Sequence, residues 1–471
     1  MGAFYCCFQT QNANIDSWYY AACVKHGEEL INSHHLLYNG IGRVWYLLLS
    51  LLYPSIHALT ALNLMNAFAA VACLFLCYKI LLRLNQDSET AFLLTMIGGA
   101  TFGFMRFATD AETYILPLVF ALWSVLRLLS GDKALISAAL MAGTAILVHE
   151  LYIWWALSLG IYILRTRSLK TTLLKFGIPM LIVPVVYCLA FYLSDSHQGF
   201  TDFIIGRYGD HQASVSLSGA GVLLTIINMI RSVFQIHGQI SFVFRQYPVA
   251  SAAVFIAVSG FAIMAIRRLK YLKSGQLTRE QKPVYQLFLS AFLLFTIFAC
   301  LSSGNAEFMT MLPFFIIFAW TARPSVIDIP FLKYFFLVLM LWNAATGILP
   351  PALLDISRND RQCEFTEKHR HHAAFLWCSK PLVENMLTYK EGFNVPVDYL
   401  HRDSAEVIKA IESGKTVYTD YFNTTTVFSR RGITDNHHLI TLKNRFNTVV
   451  CDSFDNLWGK NYIWQMSQKV P

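Results

Sequence analysis

The chain has 471 residues, of which 55% are hydrophobic and only 14% carry a charge. Soluble domains average about 25% charged residues, so this composition excludes an ordinary soluble protein and predicts one that crosses a membrane repeatedly. A net charge of +8 can indicate a nucleic-acid partner. Here, however, Lys and Arg cluster in short loops between apolar segments, where they set membrane orientation. The predicted partner is therefore the lipid bilayer and not nucleic acid.

Ten apolar segments predict transmembrane helices, and the loops between them alternate in charge. Lys and Arg recur in every second loop, and the positive-inside rule makes those loops cytoplasmic. The opposite loops, around 109–111, 149–150 and 304–307, contain neither Lys nor Arg. The predicted spans are roughly 58–82, 89–108, 112–129, 133–149, 151–165, 171–193, 247–268, 283–303, 308–322 and 330–350.

This alternation divides the chain into three parts. Residues 1–57 are an extracytoplasmic loop with interfacial helices, residues 58–354 are the transmembrane domain with an outer loop at 194–246, and residues 355–471 are extracytoplasmic. One further apolar segment, 219–237, is interrupted by polar residues, which favours an interfacial or re-entrant helix over a span. If it does span, the C-terminal part changes sides.

The N-terminus has no signal-peptide pattern, because a basic region and an apolar core of about 7–15 residues are both missing. An outer segment of this length is hard to translocate without a preceding span. We therefore expect that a first transmembrane helix is missing from this chain.

The C-terminal segment predicts a small α/β domain, since helix and strand patterns alternate along it. Cys363 and Cys378 could form a disulfide there in an oxidising compartment. The predicted elements are a capped helix at Asp403 to Gly414 and strands at Thr416 to Phe422, Leu439 to Leu442 and Thr448 to Cys451. The fold class is thus an all-α polytopic membrane protein with a small C-terminal α/β domain.

Acidic residues gather on the outer side, and Asp16 is the first. It lies in an aromatic stretch that includes Trp18 and Tyr19, a composition that favours the membrane interface. Such a carboxylate can act as a general base or hold a divalent cation. The structural alternative is that Asp16 caps a helix beginning at Ser17.

Asp110 and Glu112 form a second acidic motif, between two spans. They can converge on one cation or one substrate hydroxyl group, and Arg106 could neutralise them or bind a phosphate. Alternatively, Thr109 or Asp110 caps the following helix and Glu112 favours its positive end.

Two more outer turns carry candidate residues. His149 and Glu150 precede the aromatic Trp154, so they could move protons, bind a cation or contact a sugar, but an interfacial hydrogen-bonded turn is the favoured interpretation. Glu307 repeats the pattern near the last spans, with a helix cap as its alternative. Arg207 and Arg245 lie beside aromatic residues and suit a lipid phosphate, or simply reach the headgroups.

Together these motifs resemble the GT-C superfamily of polytopic glycosyltransferases, similar to the protein O-mannosyltransferases and aminoarabinose transferases. The resemblance covers roughly residues 10–350. The residues that carry it are Asp16-Ser17-Trp18, His34-His35-Leu36-Leu37-Tyr38, Thr109-Asp110-Ala111-Glu112 and Asn305-Ala306-Glu307-Phe308.

The resemblance implies transfer of a sugar from a polyprenyl-phosphate-linked donor to a glycan, lipid or protein acceptor at the outer face of the membrane. The compact loops carry no eukaryotic retention signal, which favours a bacterial inner membrane. It implies Asp16 as the catalytic residue. Many members pair two acids in this loop, whereas Asn14 stands two residues before Asp16 here. The candidate substrate-binding residues are Asp110, Glu112, His34, His35, Arg106, His149, Glu150, Glu307, Arg207 and Arg245, and the candidate ligands of Mg²⁺ or Mn²⁺ are Asp16, Asp110 and Glu112.

Two other functions remain open from the sequence. One is a transporter or flippase for lipid-linked or anionic solutes, but transporters bind near the bilayer midplane, whereas these acids lie at helix ends. The other is a membrane subunit without catalysis.

Overall fold

The computed structural model describes residues 1–194, 199–205, 217–323, 325–401, 404–423 and 442–468. The chain forms two compact units. The first contains residues 1–10 and 29–350, and the second contains residues 11–28 and 351–471. The segment that carries Asp16 therefore groups with the C-terminal residues, which differs from the boundaries drawn from the sequence.

The first unit is almost entirely helical. Five helices are long and apolar enough to cross a membrane, and the pair Ser88–Gly99 and Phe102–Ala108, bent by 71°, makes up to six among the described residues. The helices up to residue 353 are Gly2–Cys7, Tyr38–Leu52, Ala58–Arg83, Ser88–Gly99, Phe102–Ala108, Ile115–Leu128, Leu135–Val148, Ile153–Thr166, Leu169–Leu193, Phe200–Ile205, Gly219–Val233, Ile240–Gln246, Pro248–Tyr271, Lys282–Leu301, Glu307–Thr321 and Ile329–Leu353. The protein is thus an integral membrane protein.

Each of the ten predicted spans coincides with helix, but several of these helices are short. Leu135–Val148 and Ile153–Thr166 have 14 residues each, which is about 21 Å against a hydrocarbon core of about 30 Å. The first ends because His149 adopts an extended backbone (φ −153°, ψ 119°), and a short turn at Glu150–Tyr152 precedes the second. The count of ten spans stays a prediction.

The basic loops meet one another. Strand β1 (Lys273–Ser274) pairs antiparallel with β2 (Ser325–Val326), which joins two loops predicted to be cytoplasmic. Beside them, Arg268 binds Asp328 through two hydrogen bonds of 2.8 and 2.9 Å. This pairing agrees with the alternation of charge along the sequence.

The core of the first unit is aromatic. Trp155 is fully buried, stacks on Phe315 at a centroid distance of 5.5 Å, and donates its indole N–H to the hydroxyl of Ser124 at 2.9 Å. The bond satisfies the only polar atom of that indole, so the ring is buried without leaving a donor unpaired.

The second unit is an α/β domain, as the sequence predicts. Its sheet has the strand order β4-β3-β5-β7-β6, in which β3 runs parallel to β4 and β5 while β7 is antiparallel to β5 and β6. The strands are β3 (Ala373–Leu376), β4 (Asp398–Tyr399), β5 (Thr416–Thr419), β6 (Phe446–Asn456) and β7 (Gly459–Gln468), and the helices are Ile15–His26, Asn359–His369, Lys380–Glu391 and Ser404–Glu412. Residues 439–441 of one predicted strand lie outside the described residues.

The predicted disulfide is wrong, because the sulfurs of Cys363 and Cys378 are not joined in a disulfide. Successive residues of a strand face opposite sides of a sheet. Phe375 packs in the same buried cluster as Cys363, whereas Leu376 belongs to the cluster against which Cys378 packs. The two sulfurs are therefore on opposite faces of the sheet.

Candidate functional site

Three of the predicted outer turns meet at Tyr114 in the first unit. Its hydroxyl donates a hydrogen bond of 2.8 Å to Oε2 of Glu307, and its ring lies 5.1 Å from the ring of His149. Tyr152 donates in turn to the carbonyl oxygen of Tyr114 at 3.3 Å. The turns around residues 110, 150 and 307, far apart in sequence, are thus one cluster.

The predicted histidine pair of the first loop joins the same cluster. His34 donates from Nδ1 to Oε1 of Glu150 at 2.7 Å, and the ring of His35 packs edge-on against the ring of His149 at 4.4 Å. Four of the predicted residues are therefore neighbours: His34, His35, His149 and Glu150.

His149 presents a hydrogen-bond donor that has no partner. Its Nδ1 accepts the N–H of Leu151 at 3.2 Å, so in the neutral ring the proton is on Nε2. Only 4% of the residue is exposed, and Nε2 has no hydrogen-bond partner among the described residues. A buried unpaired donor is costly, which makes this nitrogen a candidate ligand-binding atom.

A cavity of about 690 Å³ opens beside this histidine. Its walls are mainly apolar, and its polar side chains include those of His149, Glu150 and Asn305. It is lined by Ile146, His149, Glu150, Leu151, Ile153, Trp154, Val183, Pro184, Tyr187, Cys188, Phe200, Ile204, Phe298, Ser302, Asn305 and Phe308. A mainly apolar cavity with a few convergent polar groups is the usual form of a small-molecule site.

Asp110 and Glu112 are both buried, in a turn that Asn66 holds in place. The side-chain amide of Asn66 donates to the carbonyl oxygens of Asp110 and Glu112, at 2.7 and 2.6 Å. Neither Asp110 nor Thr109 caps the following helix, which starts at Ile115 without a side-chain cap. The capping alternative for this motif is therefore wrong.

The predicted basic residues have different environments. Arg106 is half-buried, lies over the ring of Phe107 at 5.0 Å, and makes no hydrogen bond or ion pair within the described part of the chain. It does not neutralise Asp110 or Glu112. Arg245 is exposed near the ring of Phe242, and Arg207 lies outside the described residues.

Asp16 belongs to the second unit, in the first turn of the helix Ile15–His26. The cap of that helix is Asn14, whose Oδ1 accepts the N–H of Ser17 at 2.8 Å and its hydroxyl at 2.9 Å. Asp16 is therefore not the cap, and its exposed carboxylate lies at the positive end of the helix dipole. The helix is held by Asn385, which donates to the carbonyl of Ile15 at 2.9 Å.

Sequence reasoning missed two residues of the cluster. Asn66 lies inside a predicted span, where a polar side chain is a signal in itself, because an amide in hydrocarbon needs a partner. Tyr114 gave no such signal, since a tyrosine at a helix start is common at membrane interfaces.

The described residues contain no group of three or more His, Cys, Asp or Glu side chains able to hold a metal ion. The predicted cation ligands lie in two units, with Asp16 in one and Asp110 and Glu112 in the other. The three-ligand cation site stays a prediction.

Comparison with known proteins identifies the architecture. No known family and no curated protein matches the chain in sequence. The crystal structure of ArnT from Cupriavidus metallidurans bound to undecaprenyl phosphate matches 98% of this chain and 96% of its own, at 10% identity and a TM-score of 0.56. ArnT is a GT-C aminoarabinose transferase. The chain has the GT-C fold.

Two further structures match this chain less well. The same ArnT in the apo state has 11% identity and a TM-score of 0.42, over 98% of this chain and 95% of its own. The oligosaccharyltransferase of Archaeoglobus fulgidus in complex with Zn and sulfate has 10% identity and a TM-score of 0.40, over 96% of this chain and 69% of its own. The predicted fold class is confirmed by the first match and by the two units themselves.

Proposed function

We propose that this protein is a membrane glycosyltransferase, which moves a sugar from a polyprenyl-phosphate-linked donor to a glycan, lipid or protein acceptor at the outer face of the membrane. One observation carries the proposal: the apolar cavity of the first unit is bordered by the unpaired donor of His149 and the carboxylate of Glu150. An isoprenoid chain needs apolar walls, and its phosphate needs hydrogen-bond donors beside them.

The same site suits a phosphate as the leaving group. His149 Nε2–H can donate to a phosphate oxygen at this cavity. Arg106 does not line the cavity, but it is a half-buried cation of the same unit without an ion pair among the described residues. Donors fixed before the reaction stabilise the charge that develops on the phosphate. The ArnT structure with undecaprenyl phosphate supports a lipid-linked donor of this type.

Asp16 is the proposed general base. It takes the proton of the acceptor's hydroxyl or amine while the freed electron pair forms the new bond to the anomeric carbon of the sugar. The bond from that carbon to the phosphate oxygen breaks at the same time, and polyprenyl phosphate leaves. Because a phosphate leaves without protonation, the reaction needs less general-acid help than glycoside hydrolysis.

A divalent cation, Mg²⁺ or Mn²⁺, is part of the proposal. Such ions are usually bound by one or two carboxylates together with substrate phosphates, so a cage of three protein ligands is not required. Asp110 and Glu112, two residues apart in a turn fixed by Asn66, supply two carboxylates. When bound, the cation would neutralise charge on the leaving phosphate.

The test is transfer of a labelled sugar from a polyprenyl-phosphate donor in proteoliposomes. We expect Asp16→Asn to abolish transfer, because an amide cannot accept the proton, and to leave folding intact because the side chain is exposed. Asp455→Asn is the matched control, since Asp455 is also an exposed aspartate of the second unit. Full activity of Asp16→Asn would remove the assigned base.

The same assay tests the cation. We expect EDTA to stop transfer and Mg²⁺ or Mn²⁺ to restore it, and undiminished transfer in EDTA contradicts the cation. Movement of intact donor across the bilayer without sugar transfer would instead identify a flippase.

A further inference from the structure

The second unit contains a cavity of its own, of about 130 Å³. It lies between the helix Asn359–His369, the start of the helix Lys380–Glu391, and the turn that joins β6 to β7. Eight of its eleven lining side chains are hydroxyls, amides or a carboxylate, and none of the described residues that line it is a lysine or an arginine. The lining of this cavity is therefore mainly polar and uncharged, whereas the lining of the cavity in the first unit is mainly apolar.

Buried polar groups form part of the lining. Asp420 and Gln362 are each only 5% exposed. Nε2 of Gln362 donates to one carboxylate oxygen of Asp420 at 2.8 Å, and the N–H of Cys378 donates to the other at 2.7 Å. The other amide atom of Gln362, Oε1, accepts no hydrogen bond from the described residues. This oxygen is therefore an acceptor that an occupant with a hydrogen-bond donor can use.

Other amides add both kinds of hydrogen-bonding group. Asn359 donates from Nδ2 to the hydroxyl of Ser357 at 2.7 Å, which leaves its Oδ1 as an acceptor within the described part of the chain. Asn456 accepts the N–H of Trp458 at 2.9 Å through Oδ1, which leaves its Nδ2 as a donor there. Donors and acceptors without charge suit hydroxyl groups, because each hydroxyl both donates and accepts.

Trp458 supplies the aromatic surface. It is half-buried in the turn between β6 and β7, and its indole stacks on no other ring and makes no hydrogen bond in the part of the chain described. A tryptophan with a free face beside polar groups offers apolar contact to one side of a ligand and an N–H at its edge.

The charges of the described lining residues disfavour two other ligand classes. An anion would find no cation among these residues, and a metal ion would find one carboxylate, Asp420, whose two oxygens already accept hydrogen bonds. A neutral ligand with several hydroxyl groups and one apolar face remains. We propose that this cavity is a second binding site, which holds one neutral sugar residue of a glycan. The proposal does not depend on the transferase function.

The test is saturation-transfer NMR on the full-length protein in detergent micelles, with glucose, galactose, mannose and N-acetylglucosamine as probes. Monosaccharides at about 10 mM allow detection of dissociation constants near 1 mM. We expect at least one sugar to bind, and Trp458→Ala and Gln362→Leu each to weaken its binding by about tenfold.

Two control variants match these changes. Trp123→Ala removes an exposed indole of the first unit, and Gln465→Leu removes an exposed amide of β7, so both should bind sugar as the unchanged protein does. Because Gln362 is buried, circular dichroism is used to check that the Gln362→Leu variant still folds. If it does not fold, the result with Trp458→Ala alone tests the proposal. No binding of any probe, or binding that Trp458→Ala leaves unchanged, would overturn the proposal.

Discussion

At the scale of single residues, His149 shows how the end of a helix can leave a buried hydrogen-bond donor without a partner among the described residues. The helix Leu135–Val148 ends there, and the ring turns back to accept the N–H of Leu151 through Nδ1. This bond fixes the tautomer, so the proton is on Nε2 at the cavity wall.

A pair of variants separates the two ring nitrogens. His149→Asn keeps an acceptor near Nδ1 and loses Nε2, whereas His149→Gln can place an amide N–H near the Nε2 position. We expect single-turnover sugar transfer to fall about 100-fold in the Asn variant, the usual loss for one such donor, and by much less in the Gln variant.

His57→Asn is the matched control for this pair, because His57 is exposed and does not line the cavity. Equal rates for the Asn and Gln variants would show that Nε2 does not act on the phosphate.

At the scale of elements, the turn before Glu307 is fixed by contact with the helix Gly219–Val233. Gly304 has a positive φ of 74°, and a Cβ added there would lie 2.6 Å from Cβ of Leu224. Asn228, on the same helix, donates to the carbonyl of Gly304 at 2.7 Å. Only glycine combines that backbone conformation with such a close approach.

Gly304→Ala should therefore destabilise the protein by about 1–3 kcal/mol, through strain and overlap together. Gly260→Ala is the control, because Gly260 is in a helix with no atom within 4 Å of the added carbon. There alanine should leave stability unchanged or raise it by up to about 1 kcal/mol. Thermal unfolding in detergent measures both, and equal midpoints would contradict the packing described.

At the scale of the whole molecule, the first unit separates its charges into two groups. The turns around Tyr114 gather acids and histidines, while the basic loops pair through β1, β2 and the contact of Arg268 with Asp328. The positive-inside rule predicts that the basic group is cytoplasmic. The helix Gly219–Val233 has 15 residues, or about 23 Å, too short to span without distortion.

Reporter fusions test this arrangement. Alkaline phosphatase joined after residue 471 should be active, because that enzyme folds only outside the cytoplasm, and green fluorescent protein there should be dark. A fusion after residue 275, in the basic loop, should give the reverse pattern. A cytoplasmic C-terminus would mean that Gly219–Val233 crosses the membrane after all.

The sequence predicted the helical segments well and the contacts of individual side chains poorly. Apolar runs predicted the helical segments, since hydropathy is a property of each residue. The alternative that Asp16 caps the first helix is wrong. Asp and Asn are equally good caps, and only the backbone conformation shows that Asn14 is the cap. The disulfide failed for a related reason, because strand register decides which face Cys378 takes.

The sequence by itself determined the membrane class, the alternation of charge and the GT-C resemblance. These follow from composition and from short motifs, which need no knowledge of distant contacts. Only the tertiary structure decided that His34, Tyr114, His149 and Glu307 are one cluster, and that the Asp16 helix packs within the C-terminal unit. His34 and Glu150, and likewise Tyr114 and Glu307, are more than a hundred residues apart in the sequence. Contacts between residues so far apart depend on how the whole chain packs.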